Sequence, residues 1–282
     1  MLGSSLCLKL SENHEVFGTG SSKINVPFRY KLFDLLNENY VELINWSNPD
    51  LIIHCAALTD GNYCQQNYLE AFNINSFSVQ KLLDSSNESV KIIFISTDAV
   101  YPSELNLAKE TDLTSPENVY GKSKELGEFF LRMSNRMFLI IRTTIVGQNI
   151  YSNKVSFVDW IIQSVLSKKD IGLFEDVLFT PISIWSFIDE LNHIIKLNLI
   201  NCETINLAGS ESISKYLFGK LLVENFTFDS NYIKKSFISQ FSLRSGRSNN
   251  QTMDSSKYEK IFTRKLPNIN QTIQNIKLNY KL

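Results

Sequence analysis

The chain has 282 residues, enough for one large α/β domain or for a nucleotide-binding domain with a smaller lobe. Its 43% hydrophobic and 20% charged content excludes a disordered chain, and a net charge of −1 argues against a nucleic-acid partner held by bulk electrostatics. No apolar run approaches the roughly 18 residues that span a bilayer, and no secretory signal is present. Cys7, Cys55, Cys64 and Cys202 form no CxxC pair and no metal-ligand spacing with His14, His54 or His193. These features predict a reduced, soluble, cytoplasmic protein with no metal site and no membrane contact.

In chain order, Met1-Leu2-Gly3-Ser4-Ser5-Leu6 resembles the end of a glycine-rich dinucleotide-binding turn, with Gly3 as its last glycine and a helix running on to about Leu10. The first strand and the start of that motif are absent from the sequence. This fits a start codon assigned too late or a truncated sequence, with a short Val/Ile-rich strand and two more glycines expected upstream. A strand at Glu15–Gly18 follows and ends in Gly18-Thr19-Gly20-Ser21-Ser22-Lys23. No acidic residue stands there to bond a ribose 2′-hydroxyl. Ser21, Ser22 and Lys23 can receive a 2′-phosphate instead, so NADP(H) is favoured over NAD(H).

Strands are expected at Leu51–Cys55, Lys91–Ser96, Phe138–Thr143 and Thr204–Leu207, and helices at Tyr68–Leu83 and Tyr120–Met133. The alternation predicts a Rossmann-like, doubly wound parallel α/β sheet over residues 1–147. Residues 148–282 read mainly as a smaller substrate lobe, with helices near Val155–Leu166 and Ser183–Leu197, residues 204–207 returning to the sheet and a closing helix after Leu266-Pro267.

Two segments carry chemistry. Ser96-Thr97-Asp98-Ala99-Val100-Tyr101 follows the apolar strand Ile92–Ile95, which sets its hydroxyls at a strand's C-terminal end, where open α/β sheets bind ligands. Tyr120-Gly121-Lys122-Ser123-Lys124 opens a helix, so Tyr120 and Lys124 stand one turn apart on one face. An ammonium beside a phenol is expected to lower its pKa from near 10 and ease proton exchange.

Thr97, Tyr120 and Lys124 resemble the Ser/Thr–Tyr–Lys set of the short-chain dehydrogenase/reductases, and the whole chain is most similar to the dTDP-4-dehydrorhamnose reductases within their extended branch. His54-Cys55-Ala56-Ala57-Leu58-Thr59-Asp60 matches the family's NAAxTxV segment, Phe33-Asp34-Leu35-Leu36 the end of its third strand, and Asn73-Ile74-Asn75 a helix motif ending in VN. Arg142-Thr143-Thr144, Phe179-Thr180-Pro181-Ile182 and the stretch from Ser245-Gly246-Arg247 to Lys257 match later motifs.

The resemblance implies hydride transfer to a keto carbon of a nucleotide-sugar, with Thr97, Tyr120 and Lys124 catalytic. Lys124 would also hold the nicotinamide ribose, and Thr97 would bond the developing alkoxide. It implies cofactor contacts from Leu2, Gly3, Ser21, Ser22, Asp34, Leu35, Ala56, Ala57, Thr59, Asn75, Tyr120 and Lys124, and substrate contacts from Thr97, Asp98 and Arg247. A homodimer is compatible with it. Ile145 stands where a tryptophan is usual, Ser248 replaces a proline and Ala99 an aromatic, so the particular sugar does not carry over. A nucleotide-sugar epimerase uses the same three groups, and a non-catalytic NADP-binding regulatory subunit shares the fold. A 4,6-dehydratase needs an acid after Asp98, and Ala99 cannot transfer a proton.

Overall fold

The computed structural model describes residues 1–150, 155–240, 246 and 248–282. Helix α1 (Leu2–Leu10) leads into a two-stranded parallel sheet of β1 (Phe17–Gly20) and β2 (Arg29–Leu32). The first strand thus lies two residues later than expected, because its register is set by pairing Phe17 with Arg29 and Gly20 with Leu32. Helix α2 (Tyr40–Ser47), capped by the Asn39 side chain, precedes β3 (Leu51–His54). Helices α3 (Gly61–Gln66), α4 (Tyr68–Phe72) and α5 (Ser78–Ser85) come next, then β4 (Lys91–Thr97), α6 (Val119–Arg132) and β5 (Phe138–Thr143). The helix expected over Tyr68–Leu83 is interrupted, because Asn73–Phe77 forms a π turn between α4 and α5.

Beyond β5 lie β6 (Ile145–Val146), α7 (Phe157–Leu166), β7 (Ile171–Phe174), β8 (Leu178–Phe179), β9 (Ile182–Ser183) and α8 (Ile184–Leu197). The chain ends with β10 (Glu203–Asn206), β11 (Ile213–Ser214), α9 (Lys215–Asn225), β12 (Ile233–Ser236), β13 (Asn250–Gln251), α10 (Ser256–Phe262) and α11 (Ile269–Asn279). Reciprocal capping boxes, Ser156 with Asp159 and Asn268 with Gln271, start α7 and α11.

The central sheet is parallel in the order β10-β5-β4-β3, and β1-β2 is a separate sheet. Side chains alternate across β4 and β5, which winds helices onto both faces. Ile93, Ile95, Leu139 and Ile141 point to one core shared with α1, α8 and α10. Ile92, Phe94, Phe138 and Ile140 point to the other, shared with α5 and α6. A third core, built on Val158, Ile161, Leu173, Phe179, Phe218, Leu222 and Ile273, joins α7, α9 and α11 to the parallel pair β7-β12. The aligned strands β3, β4 and β5 deliver their C-terminal ends to one edge, and the site forms there. Among the described residues no helix is long and apolar enough to cross a membrane, and no His/Cys/Asp/Glu group has the form of a metal site.

Candidate active site

Strand β4 ends at Thr97, and a single 3-10 turn, Asp98–Val100, stops it. The Thr97 hydroxyl accepts from Ala99 N at 3.2 Å and donates to Asp98 Oδ1 at 2.8 Å. Thr144, just past β5, donates to the other carboxylate oxygen of Asp98. Burial raises the Asp98 pKa, and the Thr144 hydroxyl, the Lys215 ammonium and the Thr97 hydroxyl oppose it in that order.

Helix α6 starts against this turn. Its cap, Asn118, accepts from Gly121 N at 2.9 Å and donates to Gly246 O at 2.9 Å. The helix comes so close that a Cβ on Gly121 would stand 2.2 Å from Ala99 O, so only glycine fits there. This approach carries the half-buried Tyr120 phenol to Thr97. Its pKa is raised, not lowered: burial dominates, the Asp98 charge adds to it, and the adjacent Thr97 hydroxyl offsets part.

Lys124 explains the reversal. Its ammonium is turned onto the Phe94 ring, 3.8 Å from the centroid, and is buried without a hydrogen-bond partner. Burial holds its pKa down to about 7 against the pull of Glu128 and Cys55. One helical turn sets two Cα atoms on one face, but packing chooses where a long side chain points, and here, among the described residues, the ring quadrupole is what holds it. Thr97 differs from expectation too, since its proton is committed to Asp98 and not offered outward.

His54 lies beside these groups. Its Nε2 meets Ser78 Oγ at 2.8 Å, and Ser78 donates its own proton to Ile74 O at 2.7 Å. His54 is therefore the Nε2–H tautomer, kept neutral because burial and the Lys124 charge push its pKa down to about 3.

Most of the remaining expected positions open α1 or follow the ends of β1, β2 and β3. Leu2 and Gly3 open α1, where Gly3 faces Cys55 at the end of β3. Ser21 and Ser22 follow β1 in an exposed loop, and Ser22 O accepts from the Tyr30 hydroxyl at 2.6 Å. Asp34 spends its carboxylate on its own turn, accepting from Leu36 N and from Asn37 Nδ2, each at 3.0 Å. The next residue, Leu35, has its carbonyl taken by the Tyr40 hydroxyl at 2.8 Å.

Ala56, Ala57 and Thr59 form the loop after β3. Asn75 clamps that loop: Oδ1 accepts from Leu58 N at 2.8 Å, and Nδ2 donates to Leu58 O at 3.0 Å and Ser123 Oγ at 2.9 Å. Its side chain is fully used as a brace. Arg247 lies outside the described residues.

Three groups at the site have no role assigned by the sequence. Thr144 holds Asp98, and Lys215, the first residue of α9, acts on it by its charge. The third is a buried brace under the site: Arg142 pairs with Glu128 through Nε–Oε1 at 3.0 Å and Nη2–Oε2 at 2.6 Å. Ser96 donates to Glu128 Oε1 at 2.5 Å, and Arg142 Nη1 donates to the Tyr101 hydroxyl at 2.7 Å. Together they tie β4, α6 and β5 at the level of Thr97. A polar Ser-Thr sequence at a buried strand end was the available signal.

The RmlD substrate binding domain family matches residues 1–281. The chain belongs to that family, within the extended short-chain dehydrogenases/reductases, which are NAD(P)-dependent oxidoreductases. It is 26% identical over 226 residues to the probable low-salt glycan biosynthesis reductase Agl14 of Haloferax volcanii, covering 79% of this chain and 75% of that one. It is also 28% identical over 193 residues to the Escherichia coli dTDP-4-dehydrorhamnose reductase, covering 66% of this chain and 63% of that one. Its fold matches a dTDP-4-dehydrorhamnose reductase from Bacillus anthracis solved with NADP, at TM-score 0.83 and 20% identity over 98% of this chain and 95% of that one.

Proposed function

We propose that the protein reduces a 4-keto nucleotide-sugar with NADP(H), Tyr120 serving as proton donor. Lys124 is the observation that carries this reading. It is a buried ammonium without a partner, one helical turn from Tyr120 at the ligand edge of a parallel sheet. Such a donor lacks only acceptors, which the ribose hydroxyls of a nicotinamide dinucleotide have. The dinucleotide, when bound, supplies the hydride for the keto carbon. Leu2, Gly3, Ser21, Ser22, Asp34, Leu35, Ala56, Ala57 and Thr59 all follow strand ends or open a helix along that edge, as a cofactor lying across it requires. The absence of a carboxylate from Gly18 to Lys23 favours a 2′-phosphate.

The protein groups then divide the remaining work. Tyr120, with its raised pKa, stays protonated at neutral pH, which is the state a proton donor needs. As the carbonyl oxygen gains charge the phenol gives up its proton to it, beside a Thr97 hydroxyl that Asp98 and Ala99 fix in place. Lys124, turned from Phe94 toward the ribose, would bring its charge nearer the phenol and stabilise the phenolate left behind.

The test is purified protein with NADPH and 4-keto nucleotide-sugars. NADPH oxidation with a 4-hydroxy product is expected. Isomers without net oxidation would make the protein an epimerase. Tight cofactor binding with no turnover would make it a regulatory subunit.

A further inference from the structure

A second cation faces the site from the other lobe. Lys215 is the first residue of α9, directly after the Ser214 cap, and its N–H donates to Val177 O at 3.0 Å. Its side chain crosses an aromatic cluster, with Nζ 3.4 Å from the Phe179 ring centroid and 5.3 Å from that of Phe157. Phe179 is itself fixed, edge-to-face on Phe218 at 5.4 Å. Rings hold an ammonium in place through their quadrupole, but they leave its three N–H donors unbonded. The Lys215 ammonium makes no hydrogen bond or ion pair with any described residue.

Asp98 is the charge that acts on it. Its carboxylate oxygens accept from Thr97 and Thr144, and it attracts the Lys215 ammonium without a hydrogen bond or ion pair between them. Burial holds the Lys215 pKa down to about 8, against the pull of Asp98. The fold thus keeps a positive charge half-buried, positioned by packing, with its donors free, next to the residue that follows Thr97.

We propose that Lys215 is a substrate-binding residue that receives an anionic oxygen of the nucleotide-sugar; this assignment rests on the function proposed above. Thr97 and Tyr120 mark where the carbonyl must lie, Asp98 comes next, and Lys215 stands beyond it. That order sets the ammonium along the flank of the sugar, away from Lys124. Two sources of anionic oxygen fit: the phosphate on the anomeric carbon, which every nucleotide-sugar has, and the carboxylate of a uronic sugar. A lysine suits both, because a compact point charge needs no forked geometry.

The test is calorimetric binding of dTDP, UDP-glucose and UDP-glucuronate to the full chain with NADP+ added, for the parent, Lys215→Met and Lys215→Arg. NADPH oxidation on a 4-keto nucleotide-sugar is followed in parallel. Loss of one charge-assisted contact weakens binding about 10–100-fold in Lys215→Met, with Lys215→Arg restoring most of it and NADP+ affinity unchanged. Equal losses for all three ligands assign the phosphate, and a loss confined to UDP-glucuronate assigns the carboxylate. Parent-like affinity of Lys215→Met for all three overturns the proposal while the reductase reading stands. A parent that binds none of them and oxidises no NADPH overturns both. If Lys215→Met does not fold, Lys215→Gln is measured in its place.

Discussion

Two buried cations lie against β4, the strand that ends at Thr97, and are treated in opposite ways. Arg142 is 2% exposed and has its guanidinium committed to Glu128 and Tyr101. Lys124 is 1% exposed and has only the face of Phe94. The electrostatic consequences diverge accordingly. Paired to Glu128, Arg142 has a raised pKa despite its burial, whereas Lys124 is pushed down to about 7. A buried charge with partners holds elements together, and a buried charge without them is kept at a cost that a ligand can remove. The brace and the pocket share α6, since Glu128 lies one turn after Lys124.

The sharpest way to break this contrast is to orphan the brace. Arg142→Met leaves Glu128 buried with only Ser96 and the part-exposed Arg132 as partners, and removing one partner of a buried pair costs about 3–5 kcal/mol. Denaturant unfolding should show that loss, a large share of the roughly 5–15 kcal/mol that holds a domain. A change below about 1 kcal/mol would mean that Arg132 or water suffices to hold the Glu128 charge.

On the pocket side, Tyr120→Phe removes one hydroxyl and none of the brace. Turnover should fall about 10²–10⁴-fold while stability and NADP(H) affinity stay near the parent. Activity within a few-fold of the parent would end the assignment of Tyr120 as proton donor.

Lys124→Met separates stability from function. It replaces an unpartnered ammonium with an apolar chain over Phe94, so the fold should gain about 1–3 kcal/mol while cofactor affinity and turnover both drop. The gain depends on pH. Lys124 titrates near 10.5 when unfolded and about 7 when folded, so between those values the unfolded chain binds more protons and rising pH stabilises the parent. The advantage of Lys124→Met should thus be largest below pH 7 and shrink toward pH 10. Unfolding curves of both proteins across that range check it, and a difference that does not change with pH would show that Lys124 is solvated.

The sequence disclosed what is local or repetitive. Strands β4 and β5 were legible because both faces are buried, and the Tyr120–Lys124 spacing was legible because four residues make one helical turn. The strand β2 was missed: Arg29-Tyr30-Lys31-Leu32 is short, polar and on a sheet edge, so it has no alternation to read. The direction of Lys124 was misread because the phenylalanine that captures it comes from β4, thirty residues earlier in sequence terms and adjacent only in the fold. Lys215 and Thr144 reach Asp98 through tertiary packing alone, and no spacing announces either one.

Asn75 belongs to both regions and gives the smallest of the expected effects. Its amide is as fully paired as Arg142, yet what it pairs is the loop of the proposed cofactor rim. The π turn makes this possible, since the extra residue in Asn73–Phe77 turns Asn75 inward to Leu58 and Ser123. Asn75→Ala leaves the Leu58 N–H without its side-chain partner and the carbonyl with only the weak Cys64 thiol donor, at about 1–3 kcal/mol if they stay buried. Ala56, Ala57 and Thr59 would then lose a fixed position while Thr97, Asp98 and Tyr120 keep theirs. NADP(H) should bind several-fold more weakly, with kcat at saturating cofactor little changed. A fall in kcat without a change in cofactor affinity would instead tie Asn75 to Tyr120 through Ser123, whose hydroxyl donates to Tyr120 O at 2.8 Å.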